Sequence, residues 1–129
     1  MKFPDKLDVL AVHASLISET GGSAGLRDGL LESALAAVEN RHYYEAADVV
    51  TCAATYAYHL TQAHAFIDGN KRIAAAITEA FLETNGGQLM MTNEEVVQLF
   101  LDIASGVLNR DEAERWLRGK VRKRKELRE

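Results

Sequence analysis

The chain has 129 residues, 47% of them hydrophobic, with one proline, nine glycines and a formal net charge of −4. That length suits one domain able to close a core, and the composition excludes disordered and collagen-like chains. No apolar run approaches the roughly 18 residues that span a bilayer. The opening MKFPDKLDVL carries acidic residues and lacks a small-residue cleavage site, so no signal peptide is expected. A single cysteine, Cys52, has no disulfide partner and no metal-ligand spacing around it. It reads as buried packing in a protein of the reducing cytoplasm. The charge is uneven: residues 118–129, RGKVRKRKELRE, hold seven Lys/Arg against two Glu, +5, which leaves −9 for the first 117. This is not the even basic field of a nucleic-acid-binding domain. The tail reads as a solvated helix end whose cations suit the C-terminal dipole, with weak contact to nucleic acid or an acidic partner as the alternative.

The chain then reads as helix after helix. Leu7 to about Glu19 has apolar positions at Leu10, Ala14 and Ile17 and stops at Gly21-Gly22. A loop over 23–27 leads to Asp28, which can cap a helix through Leu30, Leu31, Ala34, Leu35 and Val38. The segment ENRHYYE (39–45) is polar and aromatic without a helical period, and predicts a loop or a small β-ribbon. A nearly all-apolar helix follows from Ala47 to about Ala63, as expected of a helix buried on most sides. A loop ending at Asn70 precedes a helix from Lys71 to about Thr84, closed by Asn85-Gly86-Gly87. Thr92–Glu95 (TNEE) matches a capping box that opens a helix to about Ser105, and Asn109–Glu112 (NRDE) resembles a second start signal. The last helix carries Trp116, a core or interface residue, and Leu117 into the basic tail. No strand pattern and no internal repeat is evident. The expected fold is all-α: a single domain over 1–129 of about six helices, with a short flap segment near 39–45 as an option and 118–129 as the basic tail.

The chemistry concentrates in HAFIDGNKR (64–72). A helix N-terminus exposes unpaired N–H groups and the positive end of the macrodipole, so carboxylates belong there. Lys71 and Arg72 are the opposite, and an anion, most naturally a phosphate, would compensate them. Phe66 and Ile67 are apolar in a polar stretch, so at least one should anchor the loop in the core. Asp68-Gly69-Asn70 on its own is ordinary turn and cap chemistry. Beside phosphate oxygens, however, Asp68 is placed to hold Mg²⁺, Asn70 to hydrogen-bond a phosphate oxygen, and His64 to take a proton from an attacking hydroxyl. Together these residues form a phosphoryl- or nucleotidyl-transfer kit. No GxxxxGK[ST] is present, so a nucleotide would not be held by a P-loop.

HAFIDGNKR closely resembles the HxFx(D/E)(G/A)N(G/K)R signature of the Fic/Doc family. His13 followed by GGSAGLRDGLLESALA resembles the N-terminal segment of its Doc (death-on-curing) branch, and the likeness runs from 7 to 117. The resemblance implies that His64 is the catalytic histidine, Phe66 the loop anchor and Asp68 the acidic residue that helps hold Mg²⁺. It further implies that Gly69, Asn70, Lys71 and Arg72 bind nucleotide phosphates. Nucleotidyl-transferring Fic proteins have glycine at the position of Lys71. The Doc branch has lysine, and its members resemble kinases that take the nucleotide reversed, with the γ-phosphate toward the target hydroxyl. Ala75 stands where many Fic proteins have a second arginine. Ser15–Thr20 (SLISET) fails the self-inhibitory pattern (S/T)xxxE(G/N) at its last position, so a separate chain is expected to inhibit.

Several residues keep two readings. His13 is either near the site or packing. His59 reads as structural. His42, Tyr43 and Tyr44 fall where a target-docking flap is expected, or are plain surface aromatics. Arg27 and Asp28 read as an ion pair or cap. The implied function is that of a cytoplasmic Doc-type toxin of a toxin–antitoxin pair. It would be a kinase-like transferase using ATP or another nucleoside triphosphate with Mg²⁺ to modify a threonine of elongation factor Tu and arrest growth. Its partners would be that target and a small antitoxin, with no membrane, and nucleic acid met only through the antitoxin or weakly through the tail. The alternatives are a Fic-type AMP transferase and a non-catalytic binding module.

Overall fold

The structure, a computed structural model, describes residues 1–27 and 29–124. Among the described residues six helices run in chain order: α1 (Lys6–Thr20), α2 (Leu30–Glu45), α3 (Val49–Gln62), α4 (Asn70–Thr84), α5 (Asn93–Ala104) and α6 (Arg110–Arg118). A two-stranded antiparallel ribbon, β1 (Gly87–Leu89) with β2 (Val121–Lys123), is the only sheet among the described residues. The fold is all-α, as expected. No described helix is long and apolar enough to cross a membrane.

Helix α3 is the axis of the molecule, packing against α2, α4, α5 and α6. Small side chains let it be surrounded: Cys52, Ala53, Ala54 and Ala57 are all buried. Its buried Thr55 is satisfied locally, donating its hydroxyl to Thr51 O at 2.6 Å, as Thr78 of α4 does to Ala74 O at 2.7 Å. Cys52 is fully buried and burial pushes its thiol up to about 11, so it packs as a small hydrophobe.

Four helix starts are capped by side chains. Asp5, Thr92 and Asn109 form reciprocal capping boxes with Asp8, Glu95 and Glu112, and Asp48 accepts from Thr51 N–H at 2.8 Å to start α3. Helix α2 has Gly29 at its N-cap without a side-chain bond. Asp28, the expected cap, lies outside the described residues.

Two expectations are corrected. Residues 39–45 are neither loop nor ribbon; they are the second half of α2. The helical period was hidden because its inward positions turn polar after Val38. Arg41 reaches Thr55 Oγ1 at 2.9 Å, and His42 bonds Ala47 O through Nδ1 at 3.0 Å while its ring packs on Phe3. The basic tail is also not a fraying helix end as far as Arg124. Helix α6 stops at Arg118, and β2 pairs Val121 with Leu89 and Lys123 with Gly87. Three-residue strands more than thirty residues apart leave no sequence period to read. Part of the tail's charge is engaged within the fold: Arg118 pairs with Asp48 at 2.9 Å, Lys120 with Glu95 at 2.7 Å, and Arg124 donates to Glu83 O at 2.6 Å. Residues 125–129 lie outside the described residues.

Candidate active site

The loop 63–69 joins the end of α3 to the start of α4 and buries one of its two large apolar residues. Phe66 is 1% exposed and Ile67 is 53% exposed. Burying a phenylalanine contributes about 1.5–3 kcal/mol, enough to hold a short loop. His13 of α1, itself buried, stacks on the Phe66 ring with centroids 3.6 Å apart and 13° between planes. Its Nε2–H donates to Asp68 O at 2.7 Å, since a carbonyl can only accept. His13 therefore sits beneath the loop and supports it.

Asn70 closes the loop on itself. Its Oδ1 accepts from Phe66 N–H at 3.0 Å and its Nδ2 donates to Phe66 O at 2.8 Å. One amide hydrogen remains for a ligand. Gly69 has φ +80 at the N-cap, the left-handed region that glycine enters without strain. The segment 22–27 runs alongside: Leu26 and Phe66 form an antiparallel bridge, and Ile67 N–H donates to Gly25 O at 2.9 Å. Gly25 lets the Ile67 side chain lie close over it; a Cβ there would make that side chain shift. Arg27 crosses the same loop and bonds the carbonyls of His64, Ala65 and Phe66.

His64 is exposed and has φ +49, a left-handed backbone that costs a non-glycine residue about 1–2 kcal/mol. Such strain persists where the surroundings impose it, and it concentrates at functional sites. Asp68 is exposed, and its Oδ2 accepts from Ser23 N–H at 2.7 Å. The other carboxylate oxygen has no partner among the described residues. No described cluster of three His, Cys, Asp or Glu could hold a metal alone. One carboxylate beside phosphate oxygens is, however, the usual protein contribution to Mg²⁺, which fills its shell with water and phosphate. The residues present fit that ion.

Helix α4 opens with no side-chain cap and no acidic residue in its first turn. Its first intrahelical bond is Ile73 N–H to Gly69 O, so the N–H groups of Asn70, Lys71 and Arg72 precede the ladder. Neither Lys71 nor Arg72 has an ion-pair partner among the described residues. Beside these cations an apolar cleft of about 210 Å³ opens between α4 and α5, lined by Ala75, Val96, Val97, Phe100 and Leu101. An anion joined to an apolar group matches this combination.

The other sequence candidates lie elsewhere. His42, Tyr43 and Tyr44 sit on α2, His42 and Tyr43 beside Phe3, with Tyr43 and Tyr44 70% and 85% exposed. They are part of α2, and the segment that bridges to the motif loop is 22–27. His59 lies on α3 against Arg110, where burial, followed by Arg110 and Arg41, lowers its pKa. Trp116 is half-buried under Lys120, whose Nζ is 5.6 Å from its ring. Sequence reasoning underrated Arg27 and His13. The only local signal was the glycine-rich GGSAGLR, which lets segment 22–27 come close.

No match was found among curated proteins. A model of the Fic/DOC family matches residues 3–82, the stretch that carries α1 to α3, most of α4 and the whole HAFIDGNKR loop. By that match, which spans well over half of its length, the chain belongs to the Fic/DOC family.

Proposed function

We propose that this protein is a Doc-type phosphotransferase, moving the γ-phosphoryl group of a nucleoside triphosphate to a hydroxyl of a protein target. Members of the Fic/DOC family are typically transferases that take a nucleoside triphosphate, usually with Mg²⁺. The observation that carries the finer reading is Lys71: a cation in the first turn of α4, without a carboxylate partner, at the position where glycine would open the backbone to an α-phosphate.

In this reading the α4 N–H groups, Lys71 and Arg72 hold the phosphates. The target hydroxyl gives its proton to the His64 imidazole as its oxygen forms a bond to the γ-phosphorus. The bond from that phosphorus to the bridging oxygen breaks, and its electrons leave with the nucleoside diphosphate. Mg²⁺, when bound, supplies charge neutralisation of the phosphates, with Asp68 as its ligand from the protein. The target's backbone would meet segment 22–27. The target class is a translation factor such as elongation factor Tu, and a small antitoxin would restrain the enzyme by covering this site.

The deciding experiment uses ATP labelled separately at the α and γ positions, with wild type and His64→Ala. Label from the γ position alone, lost by about 10²–10⁴-fold in the variant, is the expected outcome. Label from the α position alone would replace the kinase reading with AMP transfer. Equal label transfer by His64→Ala would remove His64 from the role of base, and no label from either position with growth arrest unchanged in His64→Ala would leave only a binding module.

A further inference from the structure

Three consecutive carbonyl oxygens of the motif loop accept hydrogen bonds from one residue. Arg27 donates its backbone N–H to Ala65 O at 2.7 Å. Its Nη1 donates to His64 O at 2.7 Å and to Phe66 O at 3.0 Å. The residue at the head of this series, His64, is the one with φ +49. Ala65 and Phe66 are each 1% exposed and are held by the core as well. His64 is exposed, and its imidazole has no hydrogen-bond partner among the described residues. The direction in which that ring leaves the chain therefore depends on the backbone beneath it, and that backbone depends on Arg27.

We infer that Arg27 is a positioning residue for His64: its guanidinium holds the His64 and Phe66 carbonyls, on either side of the Ala65 carbonyl that its backbone N–H holds, and so sets where the imidazole points. A guanidinium suits the task because it is always charged and rigid and can give two hydrogens of one nitrogen to two carbonyls. Its charge also balances carbonyl dipoles that converge on one point. The support from His13 is of another kind. It holds Asp68 O at the far end of the loop and is part of the core, so it does not fix the His64 peptide. The consequence for catalysis rests on the transfer reading above, whereas the clamp itself is a matter of geometry.

The test compares full-length wild type with Arg27→Ala and Arg27→Lys. In Arg27→Ala, kcat for label transfer should fall about a hundredfold, the scale of a small misplacement of a reacting group. KM for the nucleotide should stay within about threefold, since the α4 anion site is untouched. The amide resonances of residues 64–67 should move, the melting temperature should hold, and added methylguanidinium should restore part of kcat. Arg27→Lys should fall between the two. An unchanged kcat overturns the inference, and so does a rise in KM alone, which would make Arg27 a nucleotide ligand. A loss of kcat that follows a fall in melting temperature and is not rescued overturns it as well. If wild type transfers no label at all, the transfer reading fails. The clamp is then judged on the amide spectra alone, and unmoved resonances at 64–66 would end it.

Discussion

Helices α4 and α5 pack against each other and begin in opposite ways. At α5, Thr92 Oγ1 accepts from Glu95 N–H at 3.1 Å, Glu95 Oε1 accepts from Thr92 N–H at 3.0 Å, and Glu94 adds a second carboxylate to the first turn. At α4, a left-handed glycine stands at the N-cap, no side chain caps the helix, and Lys71 and Arg72 face the positive end of the dipole. Helices α1 and α6 follow the pattern of α5. Each misplaced cation disfavours a helix by about 0.3–1 kcal/mol. Helix α4 tolerates this because Ile73, Ala74, Ile77, Phe81 and Leu82 are buried along its length. The contrast separates a helix start closed by its own side chains from one left open, which the proposed function assigns to a ligand.

The strongest way to break this comparison is to give α4 the start that α5 has. Lys71→Glu should raise stability by about 0.5 kcal/mol, because a carboxylate then faces the dipole. The same change should weaken nucleotide binding at least about tenfold, since a charge-assisted bond to phosphate is replaced by repulsion. Chemical denaturation and calorimetry with ATP and magnesium read the two effects on one protein. A variant that is both less stable and equally good at binding ATP would show that the cations serve the fold.

The contrast also marks how far the sequence could be read. TNEE and NRDE were legible as capping boxes because a cap is a matter of three-residue spacing, and both boxes form. The HAFIDGNKR loop was legible for the same reason, since its anchor Phe66, its glycine turn and its cationic helix start lie within nine residues. What supports the loop was not legible. Arg27 reaches His64 across 37 residues and His13 reaches Asp68 across 55, and no local spacing encodes either contact. The second half of α2 was missed because Arg41 and His42 occupy inward positions and are satisfied by Thr55 Oγ1 and Ala47 O, which a hydropathy period cannot anticipate. The β1–β2 ribbon is three residues a side and held by its register, so it leaves no pattern either.

At the other helix the comparison is sharpened by removing a cap. Thr92→Ala deletes the acceptor for Glu95 N–H and should lower stability by about 1 kcal/mol, with label transfer unchanged. Thermal unfolding and the transfer assay on the same preparation check this. A loss of transfer without a loss of stability would mean that the start of α5 belongs to the site after all.

The smallest effect comes from a third kind of start. Asp48 caps α3 through Thr51 N–H and also pairs bidentately with Arg118 at 2.9 and 3.1 Å, tying α6 to the central helix. The Arg118 guanidinium is the main cause holding its carboxyl down to about 2, from an ordinary 3.8. A depressed carboxylate contributes stability that is fully present above the unfolded value and lost as pH falls through the folded one, so the loss belongs between about pH 4 and 2. The two side chains are 58% and 46% exposed, so solvent screening keeps the contribution below about 1 kcal/mol. Asp48→Asn retains the cap, because asparagine caps as well as aspartate, but removes the titrating charge. Wild type should therefore be the more stable at pH 5, and the difference should shrink toward zero by pH 2. A difference that stays constant across this range would assign the role of Asp48 to its cap alone, which is the role Thr92 plays at α5.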